Sequence, residues 1–414
     1  MKETLKNPLY IKILIADIIS NFGDILYYLA LLNYVLLIDK SNLAISIINL
    51  SEILPVLASF LIGYLADRSH NRYTAIIGTL VVRTFLYVVI AVIMGFSPSL
   101  LIVIIVSLFN FVSDCVGQYE NSLYYPISNR LVRNEVREEV MAFRQSLILS
   151  LNILFKAIGG ILIFYLSFSK LALVDAASFV ISMTIIMSAK KELLKYCTDI
   201  EKQQKKGEYR FPNMWKSLKN ELIDAIKKLW QISGIKESLA VIPILNAALA
   251  IVTPITILCL ADNPDFCIVN SAMTISLLAI CETAGRVVGS ALTITVLKKI
   301  KLKKALQTVL LVTGVLLLGI IIKNIYVVLF FLFLASLWTG CIDPKMGAII
   351  FSNLDESSLA TTFGGMTTYF QLGDIISKLI FSLFVLLFGI STIAAVYSIS
   401  VFSALLYITV NKKN

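Results

Sequence analysis

The sequence predicts an all-α polytopic membrane protein of twelve transmembrane helices in two six-helix bundles. Three observations carry that prediction. Hydrophobic residues make up 58% of the chain and charged ones only 15%, with a mean hydropathy of +0.86, well beyond what a soluble domain needs. The apolar residues gather in runs of about 20, the length a helix needs to cross a hydrocarbon core of about 30 Å. A polar break at 189–237 splits the runs six and six, so 1–188 and 238–414 are expected as N- and C-terminal bundles joined by a cytoplasmic linker.

Taken in order, the first span covers 11–38, and its apolar run is too long for the core of a signal peptide, so it is expected to stay. Spans at 43–66, 74–96, 99–124, 140–167 and 171–188 complete the first half. The second half holds 238–260, 268–296, 303–322, 326–350, 360–388 and 390–410. Within the linker, Asp199 to Arg210 reads as charged and flexible, and Pro212 can open a helix. Beyond it Trp215, Leu218, Leu222, Ile226 and Leu229 recur at helical spacing opposite Lys216, Lys219, Lys227 and Lys228. An amphipathic helix lying on the inner membrane surface is expected there.

The net charge of +10 encodes orientation and not a nucleic-acid partner. Lys2, Lys6 and Lys12 precede span one, Arg68 and Arg72 follow span two, and Arg130, Arg133 and Arg137 follow span four. Twelve Lys or Arg lie between Lys190 and Lys236, five between Lys298 and Lys304, and Lys412 and Lys413 close the chain. The opposite loops hold only Lys40, Lys170 and Lys323. By the positive-inside rule both termini and the linker are cytoplasmic in a multi-pass cell-membrane protein. A bacterial plasma membrane and a monomer are the expected setting.

The six cysteines are scattered without a CxxC pair, so metal and redox chemistry are not expected. Cys259 and Cys267 flank a short outer loop and are near enough in sequence to pair, although thiols are the expectation. No cofactor motif is present. An enzyme is excluded on the same grounds: there is no phosphate-binding P-loop and no His-Glu-x-x-His, and the single histidine, His70, sits in a loop away from any nucleophile.

The loop between spans two and three reads Gly63-Tyr-Leu-Ala-Asp67-Arg68-Ser-His-Asn-Arg72. Gly63 permits close approach of another helix where no hydrophobic force acts between helices. Asp67 faces the negative pole of its own helix and needs a cation or another helix's N-terminus to compensate it. Arg68 and Arg72 are cations at hand, so the turn reads either as a latch between states or as a solvated positive-inside loop. The halves also align weakly: a shift of 218 residues brings Pro126 onto Pro344, Glu138 onto Glu356 and Ala142 onto Ala360.

The Gly-x-Leu-Ala-Asp-Arg-x-x-x-Arg order resembles the loop between the second and third helices of the major facilitator superfamily. Gly23-Asp24, Ser51-Glu52-x-x-Pro55, Arg83 and the Asn-Arg-Leu131-Val132 to Ser146 stretch look like its macrolide-efflux-like branch of exporters. Where those exporters often carry Gly-Pro in span five, this chain has Gly159-Gly160. The resemblance implies two six-helix halves with a small-molecule site at their interface and the bilayer as surroundings.

Ionisable residues at membrane depth cost a few kcal/mol each, so they pair, face an interior, or work. Glu282 and Arg286, like Asp374 and Lys378, stand four apart on one helix and can neutralise each other locally. Glu120 and Lys345 lie near cytoplasmic ends, where snorkelling suffices. Asp24, Glu52 and Asp114 have no cation within a turn of their own helices, which makes them the proton-coupling candidates. Arg144 and Lys156 are expected as their partners across the bundle, with Arg83 also buried nearby. A static ion-pair network is the alternative reading of the same residues. Phe22, Tyr27, Tyr28, Phe109, Phe111 and Trp338 lie on spans that line the cavity in the family they resemble, and such rings suit a bulky, partly apolar substrate.

The expected function is secondary active transport, with proton-coupled export of an amphipathic small molecule or drug by alternating access. Uptake, lipid movement, and a non-transporting sensor or immunity protein are the competing readings.

Overall fold

Three of the membrane helices start where a small polar side chain caps them. Asn7 Oδ1 accepts the Leu9 N–H at 3.0 Å, Ser99 Oγ that of Ile102 and Ser167 Oγ that of Lys170, each meeting a donor the first turn leaves unpaired. The computed structural model describes residues 1–35, 37–38, 41–203, 219–220, 223–224, 227, 230, 232, 235–262, 266–268, 271–385 and 387–410.

The chain runs through α1 (Pro8–Val35), α2 (Ser41–Leu57), α3 (Ser59–Asp67), α4 (Arg72–Ile93), α5 (Leu100–Leu131), α6 (Arg137–Tyr165), α7 (Phe168–Ser188) and α8 (Lys190–Gln203). It continues through α9 (Ile235–Ala250), α10 (Val252–Asp262), α11 (Ser271–Thr293), α12 (Leu302–Ile321), α13 (Ile325–Asn353), α14 (Leu359–Phe384) and α15 (Ile390–Val410). There is no strand among the described residues.

Nine of the spans, α9 and α10 together forming one, are long and apolar enough to cross a membrane. The α2–α3 pair, bent by 46° behind Pro55, forms a tenth. Pro55 has no N–H to close the helical ladder, which explains the bend. Helices α1 and α14, 28 and 26 residues long, have the length but carry charges at Lys12, Asp17 and Asp24 and at Asp374 and Lys378. With these two, the twelve expected spans are all present as helices, and the protein is a multi-pass membrane protein.

Asp199 to Gln203 is helical, where the sequence reads as flexible. Leu193, Cys197 and Ile200 recur at helical spacing and are buried, and α8 rests on α4 and α5. Tertiary burial has overridden a polar local composition. The amphipathic helix expected after Pro212 falls mostly outside the described residues. No disulfide bond occurs among the described residues.

The chain divides into two compact units. The first comprises Met1–Arg133, Ser150–Ala225 and Leu354–Thr368; the second comprises Asn134–Leu149, Ile226–Asn353 and Tyr369–Asn414. In the first, α1, α4 and α7 pack around Tyr27, Tyr87 and Phe179, with Tyr27 edge-on to Tyr87 at 4.8 Å between centroids. In the second, α11 lies against α13 at backbone contact: a Cβ at Gly289 would stand 1.8 Å from the Leu337 carbonyl oxygen, and one at Gly340 would stand 2.4 Å from that of Arg286. Small residues permit such closeness, which supplies packing between helices in lipid.

Candidate functional site

The first unit holds a chain of polar side chains at membrane depth. Arg83 on α4 donates through Nη2 to both oxygens of Asp24 on α1, at 2.9 and 3.0 Å, and through Nε to Ser113 Oγ on α5 at 3.3 Å. The guanidinium lies over the Phe179 ring, 4.0 Å from its centroid. Gly117, one turn beyond Ser113, makes room for it, since a Cβ there would come within 3.2 Å of the Arg83 guanidinium carbon. A planar fork that bonds two partners and stacks on a ring is a seat for arginine specifically.

A second cluster adjoins it. Asn110 Nδ2 donates to Glu52 Oε1 on α2 at 2.9 Å and to Asp114 Oδ2, one turn along α5, at 3.0 Å. Its carbonyl oxygen accepts the Tyr87 hydroxyl at 2.9 Å. One carboxamide thus orients two carboxylates and is itself held in a single orientation. Glu120, lower on α5, accepts from Thr79 at 3.2 Å, and Asp175 on α7 is fully buried against Gly23, with its Oδ1 accepting from Ser178.

The structure brings Asp24, Glu52, Asp114 and Arg83 together and corrects their pairing. The cation on Asp24 is Arg83, not Arg144 or Lys156, both of which are exposed. Asn110 escaped the sequence reading because an amide carries no charge to stand out in an apolar run. The Asn110-x-x-x-Asp114 spacing was the available signal. Of the ring candidates, Tyr27 is 1% exposed and is a core residue, and Phe22 packs edge-on against Phe155 at 4.9 Å. Tyr28, Phe109 and Trp338 are half-buried. Phe111 lines an apolar groove of about 470 Å³ between α3, α4 and α5, with Ile62, Gly78 and Val82.

The turn after α3 is tied to the start of α14, within the same unit. Asp67, 2% exposed, accepts the Ala360 N–H through Oδ1 at 3.1 Å and both the N–H and hydroxyl of Thr361 through Oδ2 at 2.7 Å. The compensation that its own helix's negative pole demands is therefore another helix's positive pole. Gly63 permits this: a Cβ there would stand 2.2 Å from the Ala360 carbonyl oxygen. Arg72 is buried and donates to the Asp67 carbonyl at 3.1 Å, while Arg68 stacks over Tyr64 at 3.7 Å. His70 is exposed. Glu201 of α8 caps the next helix by accepting the Arg72 N–H at 3.0 Å. Nearby, Arg130 makes a forked pair with Glu356 at 2.6–2.9 Å.

In the second unit, Lys345 is buried and bonded to Glu138, so it does not snorkel, and Lys298 holds Glu139. Glu138 and Glu356, aligned by the 218-residue shift, are thus both held by a cation of a long proline-containing helix, α13 and α5 respectively. Asp374 and Lys378 pair locally at 3.0 Å as expected. Arg286 does not pair with Glu282; it reaches Asp343 on α13 at 3.2 Å.

No family model matches the sequence, and a search of curated proteins finds no match. Solved structures do match over nearly the whole chain. A human organic anion transporter superposes with a TM-score of 0.67 at 13% identity, covering 96% of this chain and 99% of that one. A bacterial homologue of the iron transporter ferroportin, in an outward-facing state, gives 0.66 at 14% identity over 96% and 98%. A major facilitator superfamily proton:xylose symporter gives 0.59 at 11% identity over 97% and 96%. The chain has the major facilitator fold. At these identities the likeness speaks to fold, and function has to be argued from the site.

Proposed function

We propose that the protein is a secondary active transporter of the cell membrane, exporting an amphipathic small molecule by alternating access and driven by inward proton flow. Both termini lie in the cytoplasm, as the distribution of Lys and Arg requires. Arrangement of the acids in the first unit carries this reading. Asp24 is neutralised by Arg83, whereas Glu52 and Asp114 share one carboxamide. Two half-buried carboxylates oriented by a neutral group are suited to taking up and returning a proton, a task a closed ion pair performs poorly.

The fold supports transport as the general class, and the residues resembling macrolide-efflux exporters support export as the direction. Asp67 and the N-terminus of α14 form the latch: a carboxylate on a helix pole is strong when seated and has water as an alternative when released. The test is counterflow in proteoliposomes across a panel of amphipathic compounds, with and without a pH gradient. Exchange of at least one compound, with accumulation only under the gradient, is expected. If no compound exchanges, the transport reading falls; if accumulation ignores the gradient, the proton leaves the mechanism.

A further inference from the structure

We propose that Glu282 anchors the positive group of an organic-cation substrate, in a subsite completed by the Arg286–Asp343 pair. This deepens the transport reading and rests on it for the word substrate; the binding site itself is argued from the second unit alone.

Glu282 is the twelfth of the 23 residues of α11 and so stands at mid-membrane depth, about 16 Å of helix from either end. It is exposed, and no hydrogen bond or ion pair engages it among the described residues. An unpaired carboxylate at that depth is not tolerated against hydrocarbon. The helix itself shows which way it faces. Met273, Ile280 and Val288 are exposed apolar residues within about 80° of one another around the helix, and an exposed apolar side of a membrane helix is the side suited to lipid. Glu282, two residues past Ile280, lies about 200° around from it, and Arg286, one turn further, shares its face. The carboxylate therefore points away from that apolar side, beside the face of α11 that Gly285 and Gly289 press onto α13.

The neighbours of Glu282 define what it can take. Asp343 on α13 accepts from Arg286 at 3.2 Å and from Gln145 on α6 at 3.1 Å, so that pair is closed and oriented. Both members remain accessible, with side chains 40% and 48% exposed. Two acids and one base leave the cluster with one negative charge at Glu282. A metal ion would need several converging oxygens, and no group of three metal-ligating side chains occurs among the described residues. A single carboxylate beside a closed ion pair and an uncharged amide is suited instead to one diffuse positive charge carried on an apolar body.

The experiment uses the full-length protein purified in detergent and tetraphenylphosphonium, a permanent lipophilic cation, with triphenylphosphine oxide as its neutral counterpart. Calorimetric titration of wild type is expected to show binding of the cation and not of the oxide. Glu282→Gln is expected to weaken cation binding by about tenfold or more, the loss that follows removal of one partner of a desolvated charge pair, while Glu282→Asp retains most of it. Melting profiles matched across the three proteins separate lost binding from lost folding. Wild type that ignores the cation, or binds cation and oxide alike, overturns the inference, as does Glu282→Gln binding at wild-type strength. Should the cation bind through Glu282 and yet fail to exchange in proteoliposomes, the subsite stands and the transport reading falls.

Discussion

Asp67 and Thr361 are 294 residues apart in sequence and meet through two hydrogen bonds of 2.7 Å, from the backbone N–H and the hydroxyl of Thr361 to one carboxylate oxygen. With the Ala360 N–H on the other oxygen, the side chain caps α14 from outside the helix. An asparagine would set an amide donor against one of these donors and remove the charge that the helix pole attracts. Asp67→Asn is expected to express near the wild-type level and to lower transport about tenfold or more, in line with a charged hydrogen bond's net value of about 1.5–3 kcal/mol. Initial rates of counterflow read the effect, and wild-type turnover would leave the contact a structural one.

Gly63 tests the same seam by shape. A Cβ there would lie 2.2 Å from the Ala360 carbonyl oxygen and 3.0 Å from the Thr361 nitrogen, both rigid backbone atoms. Gly63→Val is expected to lower the melting temperature and to abolish the Asp67 cap, while Gly78→Ala, at a position with open space, leaves melting unchanged. Equal stability of the two variants would remove the argument from close approach.

Arg83 makes three hydrogen bonds in two directions and stacks on Phe179, and lysine cannot reproduce that fork. Arg83→Lys is expected to lower thermal stability although charge is kept. Arg83→Leu is expected to cost more, about 3 kcal/mol, because Asp24 then remains at membrane depth without its counter-charge. The low end of the usual range applies because the Asp24 side chain keeps 34% exposure. Thermal melts in one detergent give the order wild type, Lys, Leu; a lysine variant as stable as wild type contradicts the fork.

The spans were legible because a run of apolar residues is a local property, and a proline such as Pro55 marks its own bend. Asp67's need for compensation was legible too, from the pole of its own helix, but not the identity of the compensating helix. Asp24 and Arg83 were each readable as charges out of place, yet their pairing depends on which helices adjoin, and the expected partner Lys156 turns outward. Glu282 and Arg286 illustrate the same limit: spacing offers a local pair, and the packing of α11 on α13 replaces it with Asp343. Asn110 was hidden altogether, since its importance lies in two acceptors contributed by position and not by its own polarity.

Cys197 gives a prediction outside the membrane. It lies on the buried face of α8 beside Glu201, and burial pushes its thiol up to about 11. The thiolate, the reactive form, is therefore scarce below that pH and appears only as pH rises towards it, so that near neutrality its fraction is about a hundredfold below that of an unperturbed cysteine. Maleimide labelling of the native protein at pH 7.5 is expected to spare Cys197, and labelling after denaturation to reach it at an ordinary rate. Fast native labelling would mean that α8 does not stay seated on α4 and α5.

The last prediction concerns the proton. Glu52→Gln keeps an oxygen for Asn110 and loses only the capacity to titrate, so stability should stay near wild type while gradient-driven accumulation disappears and counterflow persists. Asp24→Asn differs, because it also takes the counter-charge from Arg83, and a fall in melting temperature should accompany any loss of coupling. The two variants therefore separate a coupling acid from a structural one within one assay. If Glu52→Gln melts lower and its surviving protein still accumulates substrate under a pH gradient, Glu52 belongs to a static network. If both variants accumulate substrate like wild type, the proton is carried elsewhere, and Asp114, which shares Asn110 with Glu52, is the next carboxylate whose amide should uncouple transport.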